Sequence, residues 1–174
     1  MDVATGTTRE NGSGITEPLK KQATADGLWH FCLHHSSNPE VQQACIALQE
    51  EFGGNINLVM FLAWIEHAGY SLDLEAVMNL KNFIHESDGL IRRYRLMRRD
   101  LKSQLQSASY NKTLNFEISL EKFQQYEIIR CANDQAWTKT ASSSVMLYCE
   151  LLDRKARALY PYLMKGLRGF ETDE

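Results

Sequence analysis

The sequence predicts an all-α protein: a single compact bundle-like domain of five to seven helices behind a flexible N-terminal tail. Three observations carry that expectation. After Asp26, apolar residues recur at intervals of three and four, the spacing that lines one face of a helix. Helix punctuation is dense, with capping residues, a proline at an entry and glycines at exits. One short stretch, "LNFEISL" at 114–120, alternates like a strand, and no second convincing strand is there to pair with it.

Residues 1–25 are rich in Thr, Gly, Ser, Asn and Glu and lack apolar periodicity. They bury too little to offset the entropy of ordering and are expected to form a disordered tail, leaving 26–174 as one helical domain. In "DGLWHFCLHH" Asp26 is the expected cap. In "NPEVQQACIALQEEFGG" Asn38 caps, Pro39 takes the first helical position and Gly53 ends the helix, with Val41, Ala44, Cys45, Leu48 and Phe52 as its apolar stripe.

Asn55 can cap "INLVMFLAWIEHAG", which is apolar on nearly every side and so reads as the central element that the others cover. "SLDLEAVMNLKNFIHESDG" follows, capped by Asp73, with Gly89 as a break or kink. Beyond it Leu90, Tyr94, Met97, Leu101 and Leu105 share one face, expected to be core. Residues 103–113 read as a loop, 114–119 stay open between helix, loop and strand, and a helix over about 119–137 is expected. The last strong helix spans about 142–159, ended or kinked by Pro161.

A chain of 174 residues, 44% hydrophobic and 24% charged, has the composition of an ordinary globular domain. Its longest apolar run, Leu58–Ile65, is eight residues, where a bilayer span needs roughly twenty, so no transmembrane segment is expected. The polar start lacks the basic cap and apolar stretch of a secretory signal, which favours a cytoplasmic protein. Cys32, Cys45, Cys131 and Cys149 form no C-x-x-C pair, so free, mostly buried thiols are expected rather than a zinc cage or disulfides.

No phosphate-binding glycine loop and no nucleophile elbow occur, so no catalytic residue is assigned. His30 and His34 lie four apart and could in principle share a metal ion, but no further ligand pattern accompanies them; no metal and no cofactor is expected. His67, next to Glu66 at the end of the apolar helix, suits a capping role there. Asn57, Trp64 and His67 are candidates for a polar pocket, because an amide beside so apolar a segment needs a specific partner.

The sharpest functional candidate is "LIRRYRLMRRDLK", Leu90–Lys102, with six basic residues among thirteen in a chain of net charge −3. Arg92, Arg95, Arg99 and Lys102 fall on one side of a helix and form a stripe that could bind an anion or a partner. An sequence pI near 6.0 is unlike domains that track nucleic-acid backbones, and an internally paired or solvated stripe is the plainer reading.

The block Leu28–Gly69 resembles an uncharacterised family of small bacterial proteins with the pattern L-W-x-F-x-L, P-x-V-x-x-A-C-x-x-L-Q and G-x-x-x-N-L-x-x-F. Trp29, Phe31, Leu33, Pro39, Ala44, Cys45, Leu48, Gln49, Gly53, Asn57, Leu58 and Phe61 carry the match. Asn55 departs from the acid of that pattern, and "HHSS" lacks a tyrosine near position 36. The resemblance implies a compact helical protein of the bacterial cytoplasm and no particular activity. The favoured reading is therefore a small non-enzymatic interaction or regulatory module with a protein partner, or a homo-oligomer. Nucleic-acid or anionic-surface binding through 90–102 ranks second, and an enzyme with a site not recognisable from sequence third.

Overall fold

A computed structural model describes residues 23–139 and 142–167. They form α1 (Ala25–His35), α2 (Pro39–Phe52), α3 (Ile56–His67), α4 (Leu74–Phe83), α5 (His85–Leu101), α6 (Ser107–Asn133), α7 (Ser144–Leu152), a 3-10 turn (Arg154–Leu159) and α8 (Tyr160–Leu163). One antiparallel bridge, β1 (Tyr70–Ser71) to β2 (Thr138–Lys139), ties the exit of α3 to the exit of α6. The fold is the all-helical compact domain expected; α8, a single turn, brings the α-helices to eight among the described residues.

The caps explain most boundaries. Asn38 Oδ1 accepts from Glu40 N at 3.0 Å, Asn55 Oδ1 from Leu58 N at 2.8 Å, and Asp73 Oδ1 from Ala76 N at 2.8 Å. Gly53 ends α2 at φ 66°, a left-handed conformation that costs glycine nothing. At α1 the cap is Thr24, whose Oγ1 accepts from Gly27 N at 3.0 Å, and Asp26 instead occupies the first turn. Ala23 is buried and Thr24 caps, so the domain includes the last residues assigned to the tail; residues 1–22 of that tail lie outside the described residues.

Helix α3 is the centre. Leu58 through Ala63 and Ile65 are buried, and α1, α2, α6 and α7 pack around it. Trp64 is only half-buried, its ring stacked on Phe31 with centroids 6.2 Å apart. Trp64→Ala is accordingly expected to cost about 2 kcal/mol, below the 3–5 typical of a fully enclosed ring, as read by chemical denaturation. A loss above that range would place the indole deeper than its exposed edge allows.

Four sequence expectations are corrected. Helix α6 starts at Ser107, so 107–113 is helix rather than loop and 114–119 lies inside it. The alternation there misleads because Phe116 and Ile118 are 53% and 40% exposed while Glu117 is buried. The expected 142–159 helix breaks at Asp153, whose extended backbone (φ −164°, ψ 142°) and side chain cap the 3-10 turn; Pro161 then sits in the first turn of α8 instead of ending a helix. Gly89 lies within α5, and the break before that helix falls at Ile84.

The fourth correction concerns the face of α5. Leu90 and Met97, expected as core, are 49% and 47% exposed. The inward face carries Ile91, which is buried, flanked by arginines.

Candidate functional site

Helices α5 and α6 form an antiparallel hairpin with a charged seam. Arg95 donates from Nε to Glu117 Oε1 at 3.0 Å, from Nη2 to Glu121 Oε1 at 3.2 Å and from Nη1 to Gln49 Oε1 at 2.7 Å. Arg98 pairs with the other Glu117 oxygen and donates to the Tyr110 hydroxyl. The side chains of Arg95, Arg98 and Glu117 are only 16%, 12% and 10% exposed. Burial alone would raise the Glu117 pKa, but the hydrogen bonds from Arg98 and Arg95 outweigh it and hold that carboxyl below its ordinary range. At Glu121 burial wins over the Arg95 charge, and the carboxyl is raised.

The predicted stripe is therefore divided. Arg92 donates from Nε to Asp88 Oδ2 at 2.9 Å and from Nη2 to the Gly53 carbonyl, and Arg95 is held in the seam. Arg99 makes a half-exposed pair with Glu50 at 3.6 Å, and Lys102 is exposed. The pairing that the plainer reading expected is there in part: Glu50 of α2 pairs with Arg99. Asp88, Glu117 and Glu121 supply the rest; Glu117 comes from the segment left open between helix, loop and strand, and Glu121 from the stretch expected to be helix.

A second polar cluster surrounds the α2–α3 turn. Asn55 Nδ2 donates to Asp88 Oδ1 at 2.7 Å and to Gln124 Oε1 at 2.9 Å, while Asn55 N donates to the Tyr148 hydroxyl at 2.7 Å. Asn57 Nδ2 shares Gln124 Oε1 at 3.0 Å, and Asn57 Oδ1 accepts from Gln125 Nε2 at 2.9 Å. This answers the question its amide raised: the partners are two glutamines of α6, buried to 0% and 1% exposure.

The structure does not bring Asn57, Trp64 and His67 together. Asn57 and His67 stand at opposite ends of α3, about 15 Å apart along its axis. Trp64 faces α1, and His67 lines a separate cleft with Glu66 and Tyr160. Burial lowers the His67 pKa, which works against the cationic cap expected of it. His30 Nδ1 lies 2.8 Å from its own helix's Asp26 carbonyl. All four cysteines are free, and burial pushes the Cys32 and Cys45 thiols up to about 12, which makes them poor nucleophiles.

His35 reaches across the molecule: its Nε2 donates to the Leu163 carbonyl at 2.6 Å, and the ring is buried. Burial lowers its pKa from 6.5 despite that carbonyl. A depressed base binds its proton more readily in the unfolded chain, so its stabilising contribution is complete above pH 6.5 and is lost as pH falls through the folded value. Urea midpoints taken between pH 7.5 and 5.5 are expected to drop with pH, and to drop less in His35→Gln, which keeps a donor without titrating. Equal slopes in the two proteins would show that His35 does not titrate with unfolding.

Two surfaces stand out. Leu90 and Met97 of α5, with Phe116 and Phe123 of α6 at 53% and 57% exposure, edge one side of the hairpin; Tyr94 and Phe116 touch there, ring centroids 5.2 Å apart. Beside Arg92, a cavity of about 340 Å³ opens between the α2–α3 turn and the α4–α5 junction. Sequence reasoning did not single out its lining residues Lys81, His85, Asp88 and Tyr148. Apart from the cap signal at neighbouring Asn55, nothing local marks the cavity, since these residues converge from α4, α5 and α7.

A model of the family described as "Protein of unknown function (DUF2390)" matches residues 27–128, from α1 through most of α6. The match includes the Arg95–Glu117 seam and Asn55 but stops short of Tyr148. No curated protein matches the chain, and no solved structure does.

Proposed function

The chain belongs to the family described as "Protein of unknown function (DUF2390)", and we propose that within it the protein is a non-enzymatic interaction module that binds a protein partner through the outer face of the α5–α6 hairpin. One observation carries the reading. Leu90, Met97, Phe116 and Phe123 are each about half exposed on one hairpin. The α5 residues among them keep the spacing of a core-facing stripe, yet among the described residues they stay about half exposed. Grouped exposed apolar side chains of this size mark sites of association. The buried ion pairs beneath hold the two helices together, so the face is offered on a rigid support.

Nucleic-acid or anionic-surface binding ranks behind, because Arg95 and Arg98 are already held by Glu117 and Arg92 by Asp88 and the Gly53 carbonyl. Gripping a phosphate would require breaking those contacts. The pattern at Leu28–Gly69 further favours a bacterial cytoplasmic setting for this module.

The test is a capture experiment with nuclease-treated lysate, comparing the parent with Met97→Glu/Phe123→Glu. Both positions are exposed, so melting temperatures should agree within a few degrees. The parent is expected to retain a discrete protein that the double variant loses. Equal retention by both, or capture abolished by nuclease, would overturn the reading. Sedimentation of the purified parent reports whether a second copy is the partner.

A further inference from the structure

We infer that the cavity between the α2–α3 turn and the α4–α5 junction is a binding site for one oxyanion group, a carboxylate or a phosphate borne on a small molecule. This inference is independent of the hairpin face. Its volume, about 340 Å³, is at the lower end of the range for small-molecule sites, and Asn55, Lys81, Asp88, Gly89, Arg92 and Tyr148 are in its lining.

The decisive group is Tyr148. The residue is 1% exposed, and its hydroxyl accepts the Asn55 N–H at 2.7 Å. The hydroxyl's own hydrogen meets no acceptor among the described residues. A buried donor without an acceptor is costly, and an acceptor atom seated in the cavity would complete it. Burial also raises the Tyr148 pKa, so the group remains a donor across the physiological range.

Charge then selects the acceptor. Among the described residues of the lining Asp88 is the one carboxylate, and both its oxygens are engaged, Oδ1 by Asn55 Nδ2 at 2.7 Å and Oδ2 by Arg92 Nε at 2.9 Å. Arg92 offsets its charge, and Lys81 leaves the lining net positive. A neutral carbonyl would use Tyr148 but gain nothing from Lys81, whereas an oxyanion uses both. Space for the remainder of the molecule lies next door: an open cleft of about 750 Å³ shares His85, Gly89 and Arg92 and adds Glu86 and Arg93, whose charges offset, and a Cβ at Gly89 would meet nothing within 4 Å.

The experiment titrates the isotope-labelled full chain with sodium phosphate and, separately, with sodium acetate. Sodium chloride at matched ionic strength is the reference, and the amide resonances of Gly54, Asn55 and Gly89 are followed. Saturable shifts are expected with at least one probe; saturation by acetate alone assigns a carboxylate ligand, and by phosphate alone a phosphate. Tyr148→Phe is expected to weaken that binding about tenfold, the scale of one hydrogen bond to a charged group. Lys81→Gln changes an exposed side chain, so its fold is secure even if Tyr148→Phe melts early; it should weaken binding severalfold. Shifts no different from chloride, or an affinity unchanged in Lys81→Gln, would overturn the assignment.

Discussion

Replacing Glu117 with alanine should cost about 3–5 kcal/mol of stability, the range for removing one partner of a buried ion pair. Glu117 is the shared acceptor of Arg95 and Arg98, so its loss leaves two guanidinium groups in a seam with little water. Glu121 takes over only part of Arg95's charge, through a single 3.2 Å contact. Glu117→Gln should fall between parent and alanine, since it keeps an acceptor and loses the charge. Replacing Glu117, Arg95 and Arg98 together by apolar residues of similar volume should be far milder than Glu117→Ala, because no uncompensated charge then remains. Denaturant midpoints for the three variants decide this, and an alanine variant within 1 kcal/mol of the parent would mean that water reaches the seam freely.

The same seam changes what neutralising the sequence-predicted stripe should do. Four exposed cations could be turned to glutamine at little cost. With Arg95 inside the seam, the quadruple change at Arg92, Arg95, Arg99 and Lys102 should instead be strongly destabilising, nearly all of it from Arg95 and Arg92.

Asn55→Ala is the second large effect, expected at about 2–4 kcal/mol. Roughly 1 kcal/mol is the lost cap of α3. The remainder, about 1–3 kcal/mol, is the cost of leaving the part-buried Asp88 Oδ1 without its amide donor, while Gln124 Oε1 keeps only the donor from Asn57. Asn55→Asp is the informative companion: it preserves the cap to Leu58 N but sets a second carboxylate against Asp88. It should therefore recover the cap and little else. An aspartate variant as stable as the parent would show that the contact with Asp88 carries no weight.

Much of the fold was legible because capping and apolar spacing are local. Asn38–Pro39, Asn55 and Asp73 each start a helix where their own chemistry places them, and α3 could be recognised as central from its composition alone. What misled was burial. The stripe Leu90–Tyr94–Met97 has the spacing of a core face, yet α5 turns its arginines inward, because α6 supplies Glu117 and Glu121 at matching heights. That preference depends on a partner helix some twenty residues further on, inside a segment whose alternation hid its helicity. The cavity was illegible for the same reason: Tyr148 meets Asn55 only through packing, across a separation that no local pattern spans.

The contact between His35 and Leu163 has a consequence for synthesis. The α5–α6 hairpin joins neighbours in sequence and can form while the rest of the chain is still being made. Helix α1 cannot complete its contacts so early, since the carbonyl that receives His35 belongs to the last stretch described, as does the lysine that pairs with Glu40 of α2. A nascent chain thus holds α1 without its buried histidine contact until Leu163 has left the ribosome, and the seam between α1 and α8 is among the late ones to close.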